Sequence, residues 1–339
     1  MSQYIVLSRV KVQNANCIAG FTWGFPAITH FLGFTHALHR KISDEYDVVL
    51  GGCAVVSHEY QLHVYKPSQK ANFEFIQSKN PPVLAKHKKS SPPIIEEGKM
   101  NLTTSIIIEV SKELVANSEI IKAFKQAVLN HCLKSRLAGG TILSIGNVDL
   151  VSGSTEQQLE SLNRKIKRLT MPGFVLQDRS DYLKTHLNQL KEQDPNAELL
   201  TAWLDFSAKK YQAQPEIEDK NSTPAHDTKA EWLLQPKPQA KGWIVPIMTG
   251  YKAISECYSA GEVTDTRDDN SPTCFVEAVH SIGEWKSMHR VLDVNEIIWR
   301  YQHESDWYLC VQNSNKSNKA EETIIETETM NFESALANL

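Results

Sequence analysis

The spacing of apolar positions over the first 150 residues predicts alternating strands and helices. Four segments have the apolar and β-branched composition of strands: residues 4–12, 53–65, 102–110 and 141–145. Two segments repeat apolar side chains at the spacing of one helix face: residues 26–42, with Pro26 in the first turn, and residues 118–137. The predicted order is therefore β-α-β-β-α-β.

That order defines the ferredoxin-like arrangement, which many RNA-binding domains share. We therefore predict an α+β protein whose first domain, residues 1–150, has this RNA-recognition-type fold. A helical extension is predicted over residues 151–206. Residues 207–240 lack a core pattern and are predicted to be a linker or a disordered loop. Residues 241–312 then form a C-terminal α/β part of the fold, and the polar, acidic residues 313–339 form a disordered tail.

The connection between the second and third predicted strands is longer than a hairpin needs. Residues 66–99 hold seven lysines, three glutamates and five prolines, and the basic cluster includes Lys86, Lys88 and Lys89. We interpret this segment as an inserted basic arm that contacts nucleic acid or a neighbouring protein. A plain solvated loop is the alternative.

Charge is distributed unevenly along the chain. Residues 1–210 hold 25 lysines and arginines against 19 acidic residues, and the remainder holds 11 against 21. A basic first part fits an anionic partner. No apolar run is long enough to cross a bilayer and no secretory signal is visible, so we expect a cytoplasmic protein without membrane contact.

Residue types that carry catalysis or bind metals do not form a recognisable motif. The nucleophile-elbow, phosphate-loop, zinc-protease and dinucleotide-binding motifs are absent. His36 and His39 could share a helix face, but no carboxylate at a useful spacing completes a metal site. The six cysteines include no CxxC pair and are expected to be buried free thiols. We predict no catalytic residue, no metal and no cofactor.

The most informative segment follows the first predicted strand. Asn14 and Asn16 can hydrogen-bond base edges or phosphates, and they can equally stabilise a turn. Trp23 and Phe25 offer planes on which bases can stack, and Gly24 allows close approach of the backbone. The alternative is a turn with buried aromatic side chains.

A second candidate contact follows the helix predicted over residues 118–137. Arg136 is a candidate phosphate ligand because Gly139 and Gly140 remove the side-chain barrier to close approach. The alternative is a cation at the end of a helix, followed by a glycine cap.

Seven stretches of this sequence resemble one protein family. In chain order they are VKVQNAN, TWGFPAITHFLGFTHAL, IIEEGKMNLTTSIII, SRLAGGTIL, RLTMPGFVL, GWIVPIMTGY and GEWKSMHRV. Together they resemble the second Csy subunit of type I-F CRISPR–Cas surveillance complexes, a Cas-five-like member of the RAMP superfamily. The resemblance spans roughly residues 5–300 and leaves out the segment 207–240 and the tail.

The resemblance implies a RAMP-type, modified RNA-recognition fold that grips the 5′ handle of CRISPR RNA. It implies a heterodimer with the large Csy subunit, beside the backbone Csy subunits, and contact with target double-stranded DNA through the assembled complex. Phage anti-CRISPR proteins are candidate partners. A separate subunit cleaves the precursor RNA, so the resemblance implies a noncatalytic role.

Two other functions stay open at the level of the sequence. The first is a metal-independent endoribonuclease that processes CRISPR RNA, since dispersed lysine and histidine residues can cleave RNA. The second is an adaptor that binds only proteins.

We predict that replacing Lys86, Lys88 and Lys89 with alanine weakens RNA binding. If the arm neutralises phosphates, the logarithm of affinity falls less steeply with the logarithm of salt concentration, by roughly one unit for each phosphate that the variant no longer neutralises. Affinity is measured across a salt series on the assembled complex. An unchanged slope with unchanged assembly would identify the arm as a solvated loop.

Overall fold

The computed structural model describes residues 2–76, 97–215, 229–238, 242–266 and 268–312. Within them the fold is mixed α+β, with one large antiparallel sheet. The strands of the described residues are β1 (Ser2–Asn16), β2 (Ile18–Ala19), β3 (Thr22–Trp23), β4 (Val49–Leu62), β5 (Val64–Tyr65), β6 (Glu74–Phe75), β7 (Lys99–Lys112), β8 (Arg136–Leu137), β9 (Gly140–Ser144), β10 (Asn147–Gly153), β11 (Phe174–Asp178), β12 (Tyr211–Pro215), β13 (Ala230–Leu234), β14 (Ile244–Ala253), β15 (Val276–Ser287), β16 (Trp299–Glu304) and β17 (Trp307–Gln312). Among these strands, three two-stranded sheets accompany the large sheet, formed by β2 and β3, by β5 and β6, and by β12 and β13.

Its α-helices are α1 (Ile28–Tyr46), α2 (Ser118–Leu133), α3 (Glu156–Thr170), α4 (Ser180–Gln193) and α5 (Leu199–Ser207). None of the helices described is long and apolar enough to cross a membrane. Two 3-10 helices, Met288–Arg290 and Val294–Ile297, precede β16.

The described residues form two compact units. The first takes the residues up to Asp178, from Ile247 to His280 and from Trp285 onward. The second takes Arg179–Pro246 and Ser281–Glu284.

Strand β1 is an interior strand near one end of the large sheet. It pairs antiparallel with β7 along one edge, from Gln3 opposite Val110 to Asn16 opposite Lys99. Its other edge pairs first with β10 and then with β9. Because β4 pairs with the far edge of β7, the strands run in the order β9 and β10, β1, β7, β4. The chain order β1, α1, β4, β7, α2, β9 is the order that the sequence predicts.

Both faces of the sheet are covered along the first half of β1. On one face, buried side chains of β1, β4 and β7 form a core with Leu162 and Ile166 of α3 and with Met288. Helices α1 and α2 cover the other face. Burial of both faces explains why β1 is buried without interruption over its first half. RNA-recognition domains stack bases on an open sheet face. Here only the second half of β1 alternates buried and exposed residues, with Lys11 and Gln13 exposed.

The second unit contains α4, α5 and the hairpin of β12 and β13. Leu183 of α4 packs with Trp203 and Phe206 of α5, and the Trp203 indole N–H donates to the Ser281 carbonyl at 2.9 Å. Arg179 and Glu284 form an ion pair at 2.7 Å. The hairpin lies within the segment predicted to be a linker or a disordered loop, so that prediction is wrong for the two strands. Hydrophobic patterning could not reveal them, because both strands are exposed and have no core pattern.

Two predicted boundaries also differ from the structure. Strand β1 continues beyond residue 12 to Asn16, because it keeps its pairing with β7 across two bulges. Helix α2 ends at Leu133, and Arg136 belongs to the short strand β8. Ala138 and Gly139, both with positive φ, turn the chain from β8 into β9, which stops the helix from continuing. The lysine cluster of the arm and the acidic tail lie outside the described residues.

We predict that Gly52→Ala destabilises the protein by about 1–3 kcal/mol. A Cβ atom at Gly52 would lie 2.1 Å from the Trp299 carbonyl oxygen, where β16 meets β4. Gly33 on α1 is the matched control, because no atom lies within 4 Å of its added Cβ. Gly33→Ala should be neutral or stabilise the protein by about 0.5–1 kcal/mol. Urea unfolding measures the free energy of unfolding of both variants, and equal unfolding midpoints for the two would contradict this account.

Candidate nucleic-acid interface

The end of β1 is where the predicted contact segments meet. The Asn16 N–H donates to the Ala138 carbonyl at 2.8 Å, which joins the end of β1 to the turn between β8 and β9. The Cys17 N–H donates to the Gly98 carbonyl at 3.0 Å, beside the point where the arm returns to the fold. The ring of Trp23 lies 4.8 Å from that of Phe75 at the other end of the arm. Segments more than 100 residues apart in the sequence therefore share one region.

Asn14 presents its side chain to solvent from a β-bulge. The register between β1 and β7 shifts between Val12 and Ala15, and Asn14 has a left-handed φ of 56°. Asparagine tolerates this conformation better than most residues. Its backbone N–H donates to the side-chain oxygen of Asn101 at 3.1 Å, whereas its own side-chain amide makes no hydrogen bond to any residue that the structure describes. The amide can therefore donate to and accept from a ligand.

Asn16 has a structural role in the same segment. Its side-chain N–H donates to the Ile18 carbonyl at 3.1 Å, and its side-chain oxygen accepts from the Ile18 N–H at 3.2 Å. These two bonds hold the turn that leads from β1 into β2. The alternative role, stabilisation of a turn, therefore fits Asn16 better than Asn14.

The two aromatic candidates are half-buried. Phe25 stacks on Phe31 of α1, with ring centroids 5.9 Å apart, and meets the edge of Trp285 at 4.7 Å. Trp23 packs against Phe75 and lies beside Gly98, where an added Cβ would approach its ring to 3.0 Å. Both rings therefore contribute to packing, and Trp23 keeps part of its surface exposed.

The three candidate glycines serve two purposes. Gly24 (φ 136°) and Gly139 (φ 73°) have positive φ, and nothing lies within 4 Å of a Cβ added to either. A ligand can therefore approach the backbone at both. Gly140 is different, because an added Cβ would lie 2.7 Å from the Gln13 carbonyl oxygen and 2.8 Å from the Ala15 nitrogen. Gly140 is thus required for β9 to pair closely with β1.

Arg136 is exposed and lies at the turn that contacts the end of β1. One of its terminal N–H groups donates to the Gly139 carbonyl at 3.2 Å, which closes the turn. A guanidinium has five donors, so others remain for an anion. Because α2 ends at Leu133, the alternative of a helix-terminal cation does not apply to Arg136.

Several residues of this region were not singled out from the sequence. Lys99 lies opposite Asn16 on β7, and Asn101 orients the bulge at Asn14. Phe21 is 55% exposed, stacks on His280 at 4.8 Å and donates its N–H to the His280 Nε2 at 3.2 Å. Burial lowers the pKa of His280, which favours the neutral ring that this bond requires. The pairing of Phe21 with His280 spans 259 residues, so no local pattern could indicate it.

His58 makes contacts that hold the protein together. Its Nδ1 lies 2.7 Å from the Pro172 carbonyl oxygen and its Nε2 lies 2.6 Å from the Ser105 hydroxyl. A carbonyl only accepts, so Nδ1 carries the proton and Nε2 accepts from Ser105. Burial lowers the pKa of His58, in keeping with this neutral form. Ser105 is fully buried and His58 is half-buried, and neither ring nitrogen of His58 is left without a partner.

The described residues include no group of three or more histidine, cysteine or acidic side chains that could hold a metal ion. His36 is exposed on α1, and His39 accepts from the Leu50 N–H at 3.4 Å. These histidines therefore do not form a joint site with His58 in the part of the chain described.

Comparison with known proteins identifies the family. A family model described as CRISPR-associated protein (Cas_Csy2) matches residues 5–310. A curated relative, the CRISPR-associated protein Csy2 of Pseudomonas aeruginosa (strain UCBPP-PA14), is 32% identical over 311 residues, which cover 89% of this chain and 92% of that protein. The sequence resemblance is thereby confirmed, and the chain belongs to the Csy2 family of CRISPR-associated proteins.

Proposed function

We propose that this protein is a noncatalytic subunit of a type I-F CRISPR RNA-guided surveillance complex that acts in antiviral defence in the cytoplasm. In this proposal it binds the 5′ handle of the CRISPR RNA and pairs with the large Csy subunit. The observation that carries the proposal is the meeting of two family-matched stretches at the end of β1, through the bond from Asn16 to Ala138. Family membership supports the setting.

The chemistry at the end of β1 suits the backbone of a single RNA strand. The Asn14 amide can pair with a base edge or a sugar hydroxyl, and the exposed guanidinium of Arg136 can meet a phosphate. The open backbone at Gly24 and Gly139 leaves room for the strand to approach. Base pairing by the guide carries target recognition in such complexes, so this subunit needs contacts to shape and phosphate more than a base code.

Burial of the sheet faces along the first half of β1 favours a site at the end of that strand. Helices α1, α2 and α3 cover the sheet there, whereas Lys11 and Gln13 in the second half of β1 are exposed. We infer that the order of β1, α1, β4, β7, α2 and β9 is the ferredoxin-like core of a RAMP protein, modified so that its loops carry the RNA contacts. The basic arm returns to the fold at Gly98, beside these loops.

The proposed assembly includes further partners. We infer contact with the backbone Csy subunits, and with target double-stranded DNA through the whole complex. Phage anti-CRISPR proteins that bind the complex are further candidates. Family membership supports the inference of these partners.

We predict that Asn14→Gly weakens handle binding roughly fivefold, or by about 1 kcal/mol, without lowering the melting temperature. Glycine removes the amide and keeps the left-handed backbone that the bulge requires. The affinity of the heterodimer with the large subunit for handle RNA is measured beside its melting temperature. Asn16→Ala is the contrast, because it breaks the turn at Ile18 and should lower the melting temperature. Handle binding by Asn14→Gly equal to that of the parent protein would exclude the amide from the interface.

We predict that the purified protein leaves repeat-containing RNA intact, with or without divalent metal ions. The reason is that both ring nitrogens of His58 are engaged, one with the Pro172 carbonyl and the other with the buried Ser105 hydroxyl. Gel analysis of end-labelled RNA measures cleavage, and a cleavage-competent processing subunit serves as the positive control. Site-specific cutting that disappears in His36→Ala or in His58→Ala would establish the endoribonuclease alternative instead.

A further inference from the structure

The six cysteines divide into two groups, which corrects the expectation that all are buried. Cys17, Cys53, Cys132 and Cys310 are buried, and burial raises the pKa of each thiol, to about 11 for Cys17 and about 12 for the others. Such thiols form little thiolate and are inert. Cys257 and Cys274 are exposed. Oxidants can therefore reach these two.

The backbone places the exposed pair directly opposite one another. The Tyr258 N–H donates to the Thr273 carbonyl at 2.8 Å, and the Thr273 N–H donates to the Tyr258 carbonyl at 3.1 Å. Two residues that exchange both bonds form a hydrogen-bonded antiparallel pair, and the next pair along the ladder is a non-hydrogen-bonded one. That next pair is Cys257 and Cys274.

Disulfide geometry suits this position. Facing residues of a non-hydrogen-bonded pair have Cα atoms about 4.5 Å apart and side chains on the same side. Disulfides span Cα separations of about 4.4–6.8 Å. On the other side of the cysteines the register shifts by two residues, and the two segments are held there by the Ile254 N–H, which donates to the Phe275 carbonyl at 2.9 Å, and by the Phe275 N–H, which donates to the Ser255 hydroxyl at 2.9 Å.

We propose that Cys257 and Cys274 form a reversible disulfide that closes the loop between β14 and β15. One cysteine thiolate attacks the disulfide of a small-molecule oxidant such as oxidised glutathione and releases one glutathione. The other cysteine thiolate then attacks the mixed disulfide and releases the second glutathione. The two cysteine protons pass to the two released thiolates, so the protein loses two electrons and the oxidant gains them. This inference does not rest on the proposed RNA function.

The loop leads directly into β15, and β15 packs against the segment around β3, which is part of the candidate interface. Ala278 of β15, four residues after Cys274, packs with Ala19 and Ala27 on either side of β3. The loop itself carries five carboxylates among its described residues: Glu256, Glu262, Asp265, Asp268 and Asp269. Oxidation therefore fixes the base of an acidic segment next to this strand.

Tryptic mapping of the full chain tests the proposal. Trypsin separates the two cysteines, because Cys257 lies in the peptide 253–267 and Cys274 lies in the peptide 268–286. The folded protein is treated with oxidised glutathione, alkylated, denatured and digested. We expect the two peptides to be joined in most molecules. The joined species should weigh two hydrogen atoms less than the sum of the two free peptides, and it should separate into them after reduction with dithiothreitol. The four buried cysteines should remain unmodified by glutathione.

Moving one thiol by a single residue provides the matched control. In Cys274→Ser combined with Thr273→Cys, the thiol points to the opposite side of the ladder, so the cross-link should not form and glutathione adducts should replace it. Separate glutathione adducts on Cys257 and Cys274 in the parent protein, without a cross-link, would overturn the proposal. So would a cross-link that forms equally well in the shifted variant, since that would reflect a loop with no fixed register.

Discussion

Strand β1 is hydrogen-bonded along both edges, and its first half is also packed on both faces, so the strand can contact a ligand mainly through its second half. One edge belongs to β7, and the other passes from β10 to β9. The second half exposes Lys11 and Gln13, and the pairing with β7 is interrupted at two places along the strand. The interruptions are the bulges at Arg9 and Asn14, both with left-handed φ. At Arg9 the side chain turns back to the Met171 carbonyl, whereas at Asn14 it faces solvent.

The two bulges therefore have different consequences. The first joins a buried network, in which the Arg9 N–H donates to the Ser105 hydroxyl and Ser105 donates to His58. Each polar group there has a partner, and the network links β1, β4 and β7. The second bulge leaves a polar side chain without a partner among the described residues, beside a turn that is open at Gly139. A network with every partner satisfied stabilises a fold, and exposed polar groups beside open backbone can bind a ligand.

The candidate site could be predicted from the sequence only in part. Asparagine, glycine and arginine at the ends of strands indicated two segments that the structure brings together at the end of β1, because these residue types mark turns and can meet phosphates. The division of roles between them needed distances. Asn14 and Asn16 are two residues apart and chemically identical, yet only the Asn16 amide bonds Ile18. Gly139 and Gly140 are adjacent, yet only Gly140 is packed against β1.

Local patterns in the chain were enough to predict the element order up to β9, because hydrophobic periodicity is a property that each strand and helix carries in its own residues. Seven stretches spread along the chain were likewise enough to indicate the family. Long-range pairing was needed to establish that β1 extends to Asn16, that α2 ends at Leu133 and that Tyr258, next to Cys257, pairs with Thr273, next to Cys274. It also placed His280 beside Phe21. These features depend on which distant backbone supplies hydrogen bonds and packing, and a local pattern contains no information about a partner that lies far along the chain.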